Sequence, residues 1–247
     1  MAGKADATIY VEPVRTESVV VALVGTTPLI INRMSEKAKG ELLLPKGRKT
    51  AAQKQAFLKH IPVEEYRDSV YVLSEGPALL AVKATAVKGA MGTAAVDLPG
   101  TKKAQIKRLA HVKGEYLPVY GVPRLFMEVA RCADMNKTAD VRTRAIVPEW
   151  VVLATISYVV PLLNATSILN LLAAGGITAG IGDWRPERGG TYGQYTIAKP
   201  DDPVVQAIMV SGGREAQQEA LDNPVCYDEE SARLLTWYVN EVVRRGK

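Results

Sequence analysis

Cysteine and histidine are almost missing from this chain: two of each in 247 residues. Cys132 and Cys226 are too few for a disulfide framework, which makes a reducing cytosol the simplest compartment. With so few soft and imidazole ligands, scattered as they are, no metal-binding spacing exists. Long apolar runs are also absent. No stretch reaches 18 consecutive apolar residues, and the N-terminal MAGKADATIYVEPVRTES has no signal-peptide core, so a soluble, cytoplasmic protein without membrane contact is expected. The glycine-rich motifs of cofactor sites are missing as well. In PKGRKT the nearest upstream glycine, Gly40, lies seven residues before Gly47, where a phosphate-binding loop requires five, and Arg48 replaces the lysine. Around Gly180 and Gly182, Arg185 occupies the third position of a dinucleotide fingerprint, and a helix precedes the loop rather than following it. There is no G-x-S-x-G elbow. No cofactor, no metal and no catalytic residue follow from these patterns.

Cations are plentiful and unevenly placed. The net charge is +5, yet residues 33–60 carry eight lysines and arginines, among them Lys46, Arg48 and Lys49, against two glutamates. Residues 101–117 carry five, including Lys102 and Lys103, against Glu115 alone, while residues 200–247 hold nine acids and five bases. Phosphate contacts reinforce one another only when the cations share a surface, so this segregation suits a polyanion-binding face; a lysine-rich solvated surface is the plainer alternative.

Periodicity points to an α+β fold. Ser18–Val24 reads as a buried strand, residues 84–95 as a helix after an extended entry, and residues 102–111 as a second, basic helix. Strands follow over 116–120, 124–131, 141–145 and 150–160, the last two on either side of Pro148 as one bent strand or two. Thr166 caps a helix over 167–174 that Gly175 and Gly176 stop. A final core strand near 192–197 and a helix over 230–245 complete the reading. Without insertions the order is strand, helix, strand, strand, helix, strand: a modified ferredoxin-like (RRM-like) core, an antiparallel sheet with helices on one face. Residues 1–200 form this domain, with a basic insert at 33–82 and a second insertion at 97–120; residues 201–247 form an acidic helical extension.

The most informative segment is AGIGDWRPERGGTYGQYTI, 179–197. Seven glycines fall within residues 175–193, interleaved with Arg185 and Arg188. Glycines such as Gly182, Gly189 and Gly193 allow positive φ and close approach of backbone N–H groups to a phosphate, and arginines add charge-assisted contacts. Trp184, Tyr192 and Tyr195 are either rings for base stacking or core. Arg142 and Arg144 alternate along a strand: on a sheet face open to ligand they would contact phosphate, on a solvated one they would be ordinary polar residues.

Three segments in order, VVVALVGTTPLII (19–31), ATAVKGAMGTAA (84–95) and the glycine-rich loop, resemble the RAMP superfamily, the repeat-associated proteins of CRISPR systems. The run PEWVV through GGTYGQY is similar to small proteins of unknown function carried by tailed phages, which would place the chain in a bacterial host cytoplasm. The resemblance implies a relative of the CRISPR backbone subunit. Such a protein binds single-stranded RNA, or DNA as second choice, without sequence preference and assembles head-to-tail into an open homo-oligomer along the strand. It implies roles for Lys88 in the helix motif and for Arg185 and Arg188 in the loop. The family's arginine after Lys-Gly-small-hydrophobic is Gly92 here, and the DWRPE segment is an insert. Alternatives are an endoribonuclease using His60 or His111 as general base, a metal-dependent cut through Asp134 or Asp140, and a phage structural or assembly protein in contact with DNA.

Overall fold

The structure is a computed structural model that describes residues 13–43, 58, 60–131 and 139–246. Lys46, Arg48, Lys49, Cys132 and Asp134 lie outside the described residues. In chain order the elements are β1 (Arg15–Gly25), β2 (Leu29–Ile31), α1 (Glu36–Leu43), α2 (Pro62–Asp68), β3 (Tyr71–Val72) and β4 (Leu80–Lys83). Then come α3 (Ala84–Asp97), α4 (Lys103–Leu109), β5 (Ala110–Val112), β6 (Tyr116–Tyr120), β7 (Arg124–Arg131), β8 (Ala139–Val147) and β9 (Val151–Val160). The chain closes with α5 (Ala165–Thr178), a 3₁₀ turn at Pro186–Arg188, β10 (Tyr195–Ala198), α6 (Pro203–Ser211), α7 (Arg214–Asp222) and α8 (Glu229–Arg244).

The fold is α+β. β1 is rich in valine, whose branched Cβ suits a pleated, half-buried surface. It pairs antiparallel with β9 from Arg15 opposite Val160 to Val24 opposite Val151, and its last four residues pair with β10. The main sheet runs β10-β1-β9-β6-β4-β3, with β5 also on β9. Alternation along β1 divides its side chains. Val21 and Leu23 join the large core with Val87 and Met91 of α3 and Leu171 and Leu172 of α5. Ala22 and Val24 face the other way and pack with Val205 and Ile208 of α6. The expected helices, α3 and α5, share one face of the sheet; α6 adds a cover on the other.

Pro148 separates two strands rather than bending one. β8 belongs to a second sheet, ordered β2-β8-β7, and β9 to the first. The indole of the fully buried Trp150 lies at this crossing and donates from Nε1 to the Thr27 carbonyl at 2.8 Å.

The α5 boundaries differ from expectation at both ends. Asn164, not Thr166, is the N-cap: its backbone is extended and its side chain accepts from Ser167 N at 2.8 Å. Gly175 and Gly176 lie inside the helix instead of ending it. A Cβ on Gly175 would sit 3.0 Å from the Ala90 backbone carbon of α3, and one on Gly176 would collide with the Tyr195 carbonyl. Their smallness therefore serves close helix–helix and helix–strand approach, which outweighs the cost of glycine within a helix, about 1 kcal/mol.

Residues beyond 200, set apart by acidic composition, are stitched to both sheets. The buried Gln217 amide accepts from Leu79 N and Leu80 N and donates to the Val119, Gly121 and Gly212 carbonyls, all within 3.0 Å. Arg214 donates to the carbonyls of Leu73, Gly76 and Ala78, and Ser231 Oγ accepts from Met127 N on β7. Among the described residues no helix is long and apolar enough to cross a membrane.

Candidate nucleic-acid interface

α3 buries Val87, Ala90, Met91, Ala94 and Ala95 against the core, leaving Lys88 and Thr93 partly exposed. Their neighbours are the glycine-rich loop on one side and α4 with β5 on the other. Lys88 Nζ lies 3.1 Å from His111 Nδ1, and His111 Nε2 lies 3.1 Å from the Arg108 carbonyl. That pair of contacts suits a ring that accepts at Nδ1 and donates from Nε2.

Thr93 is the hinge of the arrangement. Its hydroxyl donates to Glu187 Oε1 at 2.9 Å and accepts from Lys103 Nζ at 3.4 Å. Glu187 in turn accepts from Arg185 Nε and Nη2 at 3.1 and 2.7 Å, and Arg185 Nη1 donates to the Gly182 carbonyl at 3.0 Å. Partial burial works against the Glu187 charge. Hydrogen bonds from Arg185 and Thr93, together with the charges of Arg185 and Lys103, nonetheless hold this carboxyl below its ordinary range. A chain from Lys103 to Arg185 thus ties two sequence motifs more than 90 residues apart into one surface.

Gly92, where the resemblance leads one to expect arginine, is overlaid by α4: Lys103 Cγ and Lys107 Cγ come within 3.7 and 3.8 Å of where its Cβ would stand. Two cations from the insertion thus occupy the surface over a missing side chain. Lys102 and Arg188 are exposed, and among the described residues the Arg188 guanidinium has no partner. Gly182, Gly189 and Gly193 all adopt positive φ, at 82, 80 and 70°. Between the loop and the start of α3 lies a cleft of about 350 Å³ lined by Asn32, Tyr71, Lys83, Gly89, Asp183 and Arg185. Lys83 Nζ sits 5.5 Å from the Tyr71 ring centroid.

Arg142 and Arg144 part company with this group. Arg142 is half exposed, 3.7 Å from Asp140. The Arg144 side chain is only 9% exposed, ion-paired to Asp183 and 3.8 Å from Glu128. It anchors the loop from beneath rather than facing a ligand, because Asp183 also accepts from Asn32 Nδ2 at 2.9 Å and from Trp184 N at 3.0 Å. Of the loop's rings, Tyr195 is buried edge-on against Trp150 and Tyr192 packs on Phe126, whereas Trp184 is 51% exposed.

Among the described residues the His60 ring meets carboxylates. Its Nδ1 lies 2.7 Å from Glu65 and its Nε2 2.9 Å from Asp140, and its carbonyl accepts from the Tyr238 hydroxyl. Both ring nitrogens face carboxylates, and Asp140 is turned to His60 and Arg142. Among the described residues no group of three or more His, Cys, Asp or Glu side chains is placed to hold a metal ion. Sequence reasoning passed over Thr93, Glu187 and Lys83. The spacing Arg185-x-Glu187 is the one local signal that a loop cation has an internal partner. No protein-family model matches the chain, and no curated protein matches it in sequence.

Proposed function

We propose that this chain binds single strands of nucleic acid, RNA before DNA, without reading sequence, on a ferredoxin-like core related to the RAMP superfamily. The observation that carries the proposal is the hydrogen-bonded chain Lys103–Thr93–Glu187–Arg185. It draws the lysine-bearing helices and the glycine-rich loop onto one surface with Lys88, Lys107 and Arg188. Exposed cations on one face attract phosphates additively, and backbone amides at left-handed glycines can approach them closely. The strand order β10-β1-β9-β6 around α3 and α5 suits the ferredoxin-like plan. Acidic residues beyond 200, such as Glu229 and Glu230, offer a second surface of opposite sign, so that copies would associate head-to-tail along one strand.

Fluorescence anisotropy with a labelled RNA of about 30 nucleotides tests the reading. Affinity should fall steeply between roughly 50 and 200 mM salt, with a log–log slope of about −0.7 per phosphate neutralised. A flat salt dependence rules out the surface as a phosphate track. In light scattering the number of bound protomers should rise in proportion to strand length; a constant number would remove the head-to-tail assembly.

A further inference from the structure

Trp184 has φ +50°, the only positive φ of any non-glycine residue among those described. A bulky side chain rarely adopts this region, and such outliers persist only where the surroundings impose them. Here they do. Trp184 N donates to Asp183 Oδ1 at 3.0 Å, its carbonyl accepts from Tyr192 N at 3.2 Å, and Asp183 N donates to the Ile30 carbonyl at 2.9 Å. Gly190 closes the arrangement, since any Cβ there would collide with the Trp184 carbonyl and stand 2.7 Å from the indole Cδ1. The buried Arg144 holds Asp183 from below.

All of this fixes the backbone of Trp184, and of the ring only the Cδ1 edge is approached, by Gly190. The indole is 51% exposed, and among the described residues no aromatic ring, cation or hydrogen-bond acceptor engages it. Hydrophobic burial would have put a tryptophan inside, as it does Trp150. Instead a strained, rigid turn holds a large flat surface toward solvent, four residues from the unpartnered cation of Arg188.

We propose that Trp184 is a stacking platform for a nucleobase of a single strand whose phosphates lie on Arg188 and the neighbouring loop. The inference rests on the nucleic-acid reading above and adds the contact that distinguishes bases from bare phosphates. A ring flanked by cations fits a single strand: the cations hold the backbone, and the ring takes any base because every base has a π face. A duplex keeps those faces inside its own stack. Fixing the backbone beneath the ring in advance lowers the ordering cost of binding.

The test uses full-length protein carrying Trp237→Phe, which leaves the buried Trp150 and the exposed Trp184 as fluorophores. It is titrated with a uridine homopolymer and with an abasic strand of equal length and charge. The homopolymer should quench the emission and the abasic strand should not. Trp184→Asn should weaken homopolymer binding roughly tenfold and leave abasic binding unchanged, while Trp184→Phe should retain most of the affinity. Asparagine tolerates positive φ, so a thermal midpoint at or above that of the parent separates loss of the ring from loss of the fold. Equal affinity for both strands, unaltered in Trp184→Asn but still salt-dependent, overturns the stacking role and leaves the phosphate surface standing. No binding of either strand at low salt sinks the nucleic-acid reading, and the stacking role with it. Quenching that follows protein concentration or the abasic strand equally would put the ring under a neighbouring protomer and overturn the proposal.

Discussion

Two regions treat their polar side chains in opposite ways. Around α3 and the glycine-rich loop, Lys102, Lys107 and Arg188 reach solvent with no side-chain partner among the described residues. Between α6 and α8, side chains of similar polarity are turned inward: Gln217 satisfies five backbone groups, Arg214 three carbonyls and Ser231 one amide. The contrast separates groups that hold the sheets together from groups left available to a ligand. It also makes the two separable by mutation.

The largest effect is expected at Gln217. Replacing it with leucine removes five hydrogen bonds to backbone groups, of which the Gly212 carbonyl keeps a second partner in Gly121 N, and each buried group left unpaired costs about 1–3 kcal/mol. Urea denaturation of Gln217→Leu should show a stability loss of about 3 kcal/mol or more, while the folded protein binds strands as before. Lost affinity at unchanged stability would erase the distinction between the regions.

Arg144 tests the boundary between them. Arg144→Met strips Asp183 of its buried partner, and breaking such a pair costs about 3 kcal/mol in a fully buried setting, less here because Asp183 is a third exposed. Denaturation should register about 1–2 kcal/mol, accompanied by weaker binding through a loosened loop. Unchanged stability with weaker binding would return Arg144 to the phosphate contacts.

On the opposite side, the triple variant Lys88→Ala, Lys103→Ala, Arg188→Ala should keep its thermal midpoint within a few degrees. It should reduce the salt slope by about 2, at about 0.7 for each phosphate contact removed. A sharp drop in midpoint with the slope unchanged would reassign these cations to structure. His111→Ala, made beside them, should leave labelled RNA uncut, as in the parent; cleavage by the parent that vanishes in the variant would favour a ribonuclease.

The smallest expected effect is pH-dependent. Because the Glu187 carboxyl is held below its unfolded value of 4.5, its contribution is fully present above that pH and is lost as pH falls through the lower folded value. The midpoint difference between parent and Glu187→Gln should be greatest near neutrality and vanish in acid. A difference that persists unchanged in acid would detach the loop's anchorage from this charge.

Much of the fold was legible because strand and helix signals are local. The valine run of β1, the β-branched run of β9 and the alanine-rich α3 each declare themselves within about ten residues. β2 did not, being three residues long behind Pro28 and held by partners far along the chain, β8 and the Asp183 backbone. α6 and α7 did not either, each being only nine residues long with one or two buried positions, although Asp202 caps α6 and Pro203 opens it. Gly175 and Gly176 misled for a physical reason: a residue without Cβ is equally suited to ending a helix and to letting another backbone touch it, and only the position of Ala90 and Tyr195 distinguishes the two.

The site divides the same way. Residue order alone determined that cations cluster in segments 33–60 and 101–117 and that two arginines stand among the glycines from 179 to 197, because charge belongs to each residue wherever the chain goes. Which cations remain available was decided by tertiary structure. Arg144 meets Asp183 across 39 residues and Glu187 meets Thr93 across 94, whereas Arg188, a residue away from Glu187, meets none of the described side chains. The exposure of Trp184 was settled there too. A tryptophan's burial depends on what the fold brings over it, and here a turn pinned by Asp183, Tyr192 and Gly190 holds it out.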